Sequence, residues 1–214
     1  MARPALTGEQ VEEERRRLCL AALRLYRAYG YEAVTLRKLG AAAGVSHATP
    51  YQYFRSKDDL FVHVRAEVFR QLGDFLLNKD PLRGDPLSRL RRIVAGIAEF
   101  GCTAPDDYRL LFSMRQTAAP ADSPLAIARG RLLDYGMSVC QQAIDRGQIK
   151  GDASTLVHLA LAGVHGLLSL HVSDLLVNGR SLDDLLRPML DRLLPPIPSS
   201  VIQKRKVPRK KTRS

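Results

Sequence analysis

The sequence predicts an all-α protein of about nine helices. Apolar residues recur with the 3.6-residue period of a helix along most of the 214 residues, whereas the alternation typical of half-buried strands is almost absent. Residues typical of helix starts and stops bound these apolar stretches, and no internal repeat is found. A chain of this length suits one large domain or two small ones.

Four helices are expected in the first part of the chain. A glycine ends the first, and a tight turn separates the second from the third. A serine followed by two aspartates begins the fourth, because acids in the first turn suit the helix dipole. The four stretches are Leu18 to Tyr29 before Gly30, Thr35 to Ala43, Ser46 to Phe54, and Phe61 to Phe75 after Ser56.

Five further helices are expected after a loop over residues 79–86. A proline opens the second of them at its first helical position, and another loop over residues 117–124 follows. Aspartate and serine are expected to cap the last two, and a proline inside the last is expected to kink it. The five are Leu90 to Phe100, Pro105 onward, Leu125 to Arg146, Asp152 to about Asn178, and Ser181 to Pro195 with Pro188 inside it.

Charge is concentrated at the two ends of the chain, whose formal net charge is +11. Residues 1–57 carry ten Lys and Arg against five acids, and residues 195–214 carry seven against none. Between them, residues 58–194 carry sixteen basic residues and seventeen acids. This distribution favours a polyanionic partner reached from the ends. Charge alone does not separate DNA, RNA and anionic lipid, and a merely solvated surface is the alternative.

The cysteines and the apolar stretches indicate the cellular compartment in which the protein is expected. Three cysteines without a Cys-x-x-Cys pair exclude a disulfide framework and a thiolate zinc site, and they fit a reducing cytoplasm. The polar start offers no secretory segment. The longest apolar stretch, Leu159 to Leu170, contains His165 and is too short to span a bilayer, so no membrane partner is expected.

Catalytic and metal-binding motifs are missing from the sequence. No nucleophile elbow, phosphate-binding glycine loop, dinucleotide fingerprint or His-Glu-x-x-His occurs, so neither an enzyme nor a cofactor is expected. His158 and His165 fall on one helix face, but no Cys or acid at suitable spacing could complete a metal site. A metal is therefore not expected.

The helix predicted from Asp152 is apolar nearly all round between Leu156 and Leu170, which indicates burial on more than one side. In so small a domain, a second chain is the simplest cover, so a homodimer is predicted. A central helix wrapped by its own domain is the alternative. The residues expected at the dimer interface are Leu159, Ala160, Gly163, Gly166, Leu167, Leu186, Met189, Leu190 and Leu193.

Residues 31–60 carry the most specific pattern in the chain. Two short helices joined at Gly44-Val45 and followed by a capped long helix form the layout of a helix-turn-helix, whose second helix enters the DNA major groove. Leu36, Leu39, Ala43 and Val45 would pack these helices together. Donors and cations then face outward at a spacing that suits phosphates and base edges.

This window resembles the DNA-binding domain of TetR-type transcriptional regulators. The residues in register are Thr35, Ala43-Gly44-Val45-Ser46, Tyr51, Tyr53-Phe54, Lys57 and Leu60, within roughly residues 11–75. The resemblance implies a repressor that binds a palindromic operator in double-stranded DNA as a homodimer. It also implies release by a small, often apolar effector that favours a different separation of the two DNA-binding heads.

The resemblance also implies roles for individual side chains. By this resemblance, Thr35 and Lys57 would bind DNA phosphates, and Tyr51 and Tyr53 would contact phosphate or sugar. His47 and Thr49 would read the bases. Tyr53 and Arg37 could instead be merely solvated. The whole expected DNA interface is Thr35, Arg37, Lys38, Ser46, His47, Ala48, Thr49, Pro50, Tyr51, Tyr53 and Lys57.

Two residues depart from the family pattern. Ala48 stands where the family usually has glycine, and Pro50 replaces an aliphatic residue inside the recognition helix. If Ser46 caps that helix, Pro50 removes its first hydrogen bond, whereas Thr49 and Gln52 offer a competing start of the capping-box type. We therefore predict an irregular first turn over residues 46–49, and with it an unusual operator.

Residues 80–194 resemble the family only weakly. Tyr108–Phe112 and Val164–Leu167 look like a C-terminal subclass named for a Trp-His-Gly signature, with Leu161 at the Trp position. Aromatic, sulfur and polar side chains of this part are candidates for the effector pocket, and ordinary core is the other interpretation for most of them. They are Phe100, Cys102, Tyr108, Phe112, Met114, Arg115, Tyr135, Met137 and His165.

The predicted domain organisation follows chain order. A DNA-binding head (1–56, with its recognition unit at 35–54) precedes a connecting helix (57–79), an effector-binding and dimerisation domain (80–194) and a basic, disordered tail (195–214). The tail would add sequence-independent affinity for DNA or simply be solvated. A ligand-independent architectural DNA-binding protein is the alternative to a ligand-responsive repressor.

Overall fold

The computed structural model describes residues 7–80, 83–112 and 120–195. Within these residues it contains nine α-helices and no strand, which confirms the predicted fold class. The helices are α1 (Gly8–Ala33), α2 (Leu36–Ala42), α3 (Thr49–Tyr53), α4 (Lys57–Lys79), α5 (Pro86–Thr103), α6 (Pro105–Phe112), α7 (Pro124–Asp145), α8 (Ala153–Val172) and α9 (Leu182–Leu193). Apart from Pro195, the predicted basic tail lies outside the described residues.

The chain divides into two compact units that interleave along the sequence. Residues 1–75 and 103–132 form the first unit, and residues 76–102 and 133–214 form the second. The helices α4 and α7 therefore contribute residues to both units, and α6 belongs to the first.

Local side-chain caps begin several helices, among them α1, α8 and α9. Thr7 and Gln10 form a capping box at α1, and Ser181 and Asp184 form another at α9. At α8, Asp152 accepts a hydrogen bond from the backbone N–H of Thr155 at 2.7 Å. These hydrogen bonds favour the charged carboxylate and lower the pKa of Asp152 and Asp184. The predicted starts of α8 and α9 are confirmed.

Residues with a positive φ lie at the break in α1 and shortly after the end of α8. Gly30, predicted to end the first helix, has φ +77° and interrupts α1, which continues to Ala33. The prediction that α8 runs to about Asn178 is wrong, because α8 ends at Val172. Asp174 and Asn178 have φ values of 53° and 59°, a left-handed conformation that short polar side chains tolerate better than others. The last helix, α9, continues through Pro188 to Leu193.

A buried ion pair lies in the second unit, where α4 gives way to α5. The Arg89 guanidinium donates to the Asp80 carboxylate from Nε at 2.9 Å and from Nη2 at 2.7 Å, and both side chains are buried. The Tyr135 hydroxyl on α7 donates to the same carboxylate. The hydrogen bond to Asp80 raises the pKa of Arg89. This cluster ties the end of α4 to α5 and α7.

The helix α8 packs against α9 at a glycine. A Cβ atom added to Gly163 would lie 2.6 Å from Met189 Sδ and 3.0 Å from Leu193 Cδ1, so the two helices approach closely there. Leu159 and Leu170 of α8 are nevertheless 49% and 40% exposed. Much of the apolar surface of α8 thus remains uncovered within one chain.

One expectation about α8 needs correction. Its most apolar 18-residue window has a mean hydropathy of 1.5, and only 22% of that window is buried. By length and composition alone, this 20-residue helix could cross a membrane, contrary to the expectation from the shorter run Leu159 to Leu170. A core helix of a soluble protein passes the same criterion.

Candidate nucleic-acid interface

The helices α2 and α3 form the predicted helix-turn-helix. Thr35 begins α2, and its Oγ1 accepts a hydrogen bond from the Lys38 backbone N–H at 3.2 Å. At the turn, Gly44 has φ +68°, a conformation that favours glycine, and the Val45 N–H donates to the Gly40 carbonyl at 2.9 Å. The Thr35 hydroxyl therefore helps to fold α2, besides its predicted contact with a phosphate.

A second glycine allows the close approach of α2 to the segment before α3. A Cβ atom added to Gly40 would lie 2.9 Å from the Ser46 carbonyl oxygen and 3.0 Å from His47 Cα. Both are backbone atoms, which cannot turn aside as a side chain can. The sequence interpretation placed the turn at Gly44-Val45 and missed this requirement at Gly40.

The first turn of the recognition helix is irregular, as predicted. The Thr49 N–H donates to Ser46 and the Tyr51 N–H donates to Ala48, both of which are three-residue bonds of 3.1 and 3.2 Å. At the end of α3, the Phe54 N–H donates to the Pro50 carbonyl at 3.0 Å, which is a four-residue bond. The two predicted caps are both wrong, because the residue at the cap is Ala48 and no side chain caps α3.

Two polar contacts orient the start of α3. The Ser46 and Thr49 hydroxyl oxygens lie 2.9 Å apart, within hydrogen-bond distance. His47 Nδ1 lies 3.0 Å from the Arg37 carbonyl oxygen. Because a carbonyl can only accept, Nδ1 must carry the proton in this bond. In the neutral ring, Nε2 is then an acceptor on an exposed side chain, suited to the amino group of cytosine or adenine.

Lys57 lies at the start of α4, over an aromatic ring. Its Nζ is 3.9 Å from the centre of the Tyr31 ring and 3.3 Å from a carboxylate oxygen of Glu32. Glu32 is 94% exposed, so this ion pair is weak and can exchange for a phosphate. The Tyr31 hydroxyl donates to Asp58 at 2.9 Å. Burial, followed by this hydrogen bond, raises the pKa of Tyr31 to about 12.

The structure places most of the expected DNA-contacting residues on the surface of the head. A single one, Pro50, is buried, so its ring belongs to the packing of α3. Three are half-buried, namely Thr49, Tyr53 and Lys57. The exposed ones are Thr35, Arg37, Lys38, Ser46, His47, Ala48 and Tyr51.

Arg17 on α1 also supports this surface, and the sequence interpretation missed it. Its Nη1 donates to the Ala43 carbonyl at the end of α2 at 2.7 Å, and its Nη2 lies 2.6 Å from Glu14. A cation at the carboxyl end of a helix is favourable. The helix pattern of residues 35–54 contains no sign of a partner 26 residues earlier, so only the fold reveals this contact.

The residues proposed for an effector pocket fall in both units. In the first unit, the rings of Tyr108 and Phe112 lie 4.7 Å apart on α6. Met114 and Arg115 lie outside the described residues. The remaining five belong to the second unit and are Phe100 (buried), Cys102 (exposed), Tyr135, Met137 and His165 (all half-buried).

The expected dimer residues all lie on α8 and α9. Ala160 and Leu190 are buried and belong to the core of the second unit. Leu159 and Gly166 are exposed, and the others are half-buried, namely Gly163, Leu167, Leu186, Met189 and Leu193.

Arg65 is a buried charged residue on α4 that the sequence interpretation assigned to no site. It is 5% exposed, and its Nη2 donates to the Leu111 carbonyl at 3.1 Å. Arg65 falls four residues after Phe61 and four before Phe69, both of which are buried. A charged residue at helical spacing inside an apolar stripe was the available signal.

Two curated relatives resemble part of the chain. The transcriptional regulator AcrR of Shigella flexneri is 32% identical over 94 residues, which are 44% of each chain. The transcriptional repressor KstR of Rhodococcus jostii RHA1 is 35% identical over 92 residues, which are 43% of this chain and 42% of KstR. The chain thus matches less than half the length of either relative.

Solved structures share the fold over most of the chain. A protein of unknown function from Rhodococcus sp. RHA1 has a TM-score of 0.73 at 24% identity, covering 90% of this chain and 97% of that one. AibR, in complex with isovaleryl coenzyme A and operator DNA, has a TM-score of 0.64 at 17% identity, covering 86% and 99%.

Two family models match successive parts of the chain. The model for bacterial regulatory proteins of the TetR family matches residues 18–64. The model for the tetracycline-repressor-like C-terminal domain matches residues 90–193, and together the two cover more than two thirds of the sequence. The chain therefore belongs to the TetR family of bacterial regulators.

Proposed function

We propose that this protein is a sequence-specific DNA-binding transcriptional regulator, a repressor that a small-molecule effector releases from a palindromic operator. The observation that carries the proposal is the helix-turn-helix of α2 and α3, with exposed donors and cations along its outer face. The relatives AcrR and KstR, named as a regulator and a repressor, support it. Action on chromosomal DNA implies a cytoplasmic protein.

The contacts with DNA divide into two kinds. His47 and Thr49, at the start of α3, read base edges in the major groove. Thr35, Tyr51 and Lys57 bind phosphates or sugars and set the register of the head on the duplex. The His47 tautomer set by Arg37 supports the first assignment, and the weak pair of Lys57 with exposed Glu32 supports the second.

A homodimer through α8 and α9 presents two heads to the two halves of a palindrome. The exposed apolar face of α8 supports it, since only 22% of the apolar window is buried within one chain. Leu159 and Leu170 on that face, with Gly166 between them, allow a second chain to pack closely.

An effector bound by the helices after the head shifts the protein to a form that binds the operator less well. The fold neighbour AibR, solved with both isovaleryl coenzyme A and operator DNA, supports ligand control in this architecture. The Trp-His-Gly subclass stays a prediction that rests on Tyr108–Phe112 and Val164–Leu167 alone.

The contact assignment is tested on an operator selected from random duplexes. In fluorescence anisotropy, we expect His47→Ala to weaken binding to the selected duplex by roughly tenfold or more and to relax the preference at one base position of each half-site. We expect Lys57→Ala to weaken binding to every duplex alike and to reduce the salt dependence. If His47→Ala weakened binding to all sequences equally, the base-reading role would be wrong.

A further inference from the structure

Arg65 is a buried cation with no acidic partner among the described residues. Its Nη2 donates to the carbonyl of Leu111, near the end of α6, and nothing in the described chain accepts the buried Nε–H. Taking a guanidinium out of water without a counterion is unfavourable, so buried cations normally have an acidic partner.

The other buried charges of the described chain all have such a partner. Of the five buried charged side chains, Glu67, Asp80, Arg89 and Asp107 each lie within 3.4 Å of an opposite charge. Arg65 is the exception. Because the other four are paired, this fold does not tolerate unpaired buried charge in general.

The charge of a second cation also acts on Arg65. Burial lowers the pKa of the Arg65 guanidinium, and the positive charge of Arg129 on α7 lowers it further. An arginine in this situation still keeps its proton at neutral pH. The positive charge of Arg129 would therefore add to the stabilisation of an anion bound at Arg65.

Aromatic rings continue from this cation along α4 and α6. Phe69 follows Arg65 by four residues on α4, and its ring meets that of Phe112 edge-on at 6.4 Å. The Tyr108 ring lies 4.7 Å from Phe112, and both Phe69 and Tyr108 are buried. A cationic end and an aromatic wall suit a ligand with an acidic head and an apolar body.

We propose that Arg65 binds the acidic group of the effector, and that the effector is an amphiphilic anion, a carboxylate or phosphate joined to an apolar chain. The inference rests on the proposed ligand-responsive function and names the ligand class for it. The planar guanidinium can offer its free Nε–H and a second N–H to two oxygens of one anion. A fatty acid and an acyl coenzyme A both have this chemistry.

The helix α6 connects this site to the head within the first unit. At one end of α6, Asp107 is ion-paired to Arg27 of α1, and at the other end the Leu111 carbonyl accepts from Arg65. An anion that draws Arg65 away from Leu111 releases that end of α6. Since α6 holds α1, the release changes the support of the helix-turn-helix.

The ligand class is tested by calorimetry on the full-length protein, without DNA. The probes are decanoate, decanoyl coenzyme A and 1-decanol, which share an apolar chain and differ in charge. We expect one or both anions to bind roughly tenfold to a hundredfold more tightly than the alcohol. Binding of decanoate alone points to a carboxylate effector, and binding of decanoyl coenzyme A alone points to the phosphate groups.

The Arg65→Met variant is expected to erase this preference, and Arg131→Met, which removes an exposed cation from α7, is expected to keep it. Urea unfolding should show Arg65→Met to be at least as stable as the wild type, because it removes an unpaired buried charge. If it nevertheless unfolds, Arg65→Lys, which keeps the charge and loses the planar fork, should weaken anion binding.

Equal binding of acid and alcohol, no binding of any probe, or an anion preference that survives Arg65→Met would overturn the inference. A failure of the proposed function would look different. In that case no DNA sequence would be selected, whatever the calorimetry showed.

Discussion

The guanidinium of Arg27 on α1 donates two hydrogen bonds to the carboxylate of Asp107 on α6, at 2.7 and 2.5 Å. Asp107 is buried, whereas the Arg27 side chain is 44% exposed. The Tyr26 hydroxyl donates to the neighbouring carbonyl of Asp106 at 3.3 Å. Because α6 lies 80 residues further along the chain, these contacts hold the first unit together across a long separation in sequence.

Removing this ion pair should destabilise the first unit. The Arg27→Met variant leaves the buried Asp107 carboxylate without its donor, which should lower the free energy of unfolding by about 1.5–3 kcal/mol. Urea unfolding measures it, with Arg24→Met as the matched control, because Arg24 is exposed on the same helix. Equal loss of stability in both variants would contradict the assigned role of the pair.

The close approach at Gly40 should not tolerate a methyl group. We expect Gly40→Ala to cost roughly 1–3 kcal/mol of stability, because its Cβ would meet the backbone of Ser46 and His47. Operator affinity should fall with it, since the same backbone carries the base-reading residues. Gly73→Ala on α4 is the control. An added Cβ there has nothing within 4 Å, so this variant should be neutral or slightly more stable. A neutral Gly40→Ala would show that α2 and α3 can separate.

His63 on α4 should make the first unit sensitive to mild acid. Its ring lies edge-on to Phe54 at 5.5 Å. Burial, followed by the charge of Arg15, lowers the pKa of His63, although Asp59 opposes this. As pH falls through about 6.5, the unfolded chain binds the proton first, so stability present above that pH is lost on the way down to the folded pKa.

The measurement is the free energy of unfolding in urea across that pH range. We expect His63→Gln to flatten the dependence, and His158→Gln, an exposed position on α8, to leave it unchanged. If the free energy of unfolding of the wild type did not decrease when the pH is lowered below about 6.5, His63 would be accessible to protons in the folded state.

The exposed face of α8 should decide the oligomeric state. We expect Leu159→Glu to give a monomer in sedimentation equilibrium. This variant should no longer bind a full palindrome more tightly than a single half-site. The substitution should leave the chain folded, because Leu159 is 49% exposed in one chain. Ser154→Glu places the same charge about 140° away around the helix and should remain dimeric. A dimeric Leu159→Glu protein would place the interface elsewhere.

Local signals in the sequence predicted most of the helices. The cap at Asp152 and the break at Gly30 lie where their residue types predicted, because capping and positive φ depend on neighbours a few residues away. The three-residue bonds around Pro50 were predictable for the same reason, since proline lacks an N–H.

Contacts between distant segments were not predictable in this way. Arg65, Asp80 and Asp107 are charged residues of types that usually face solvent, and their burial depends on helices 9 to 80 residues away. A sequence pattern records the periodicity of one helix and not the identity of its neighbour. The interleaving of α6 with the N-terminal helices is hidden for the same reason.

The central claim is that two copies of this chain read the two halves of a palindrome. Its most direct test is selection of bound sequences from random duplexes by the full-length protein at two salt concentrations. We expect an enriched palindrome with half-sites about one helical turn apart, bound at both concentrations. No enrichment, with binding that collapses as the salt rises, would contradict the account and indicate a charge-driven architectural binder.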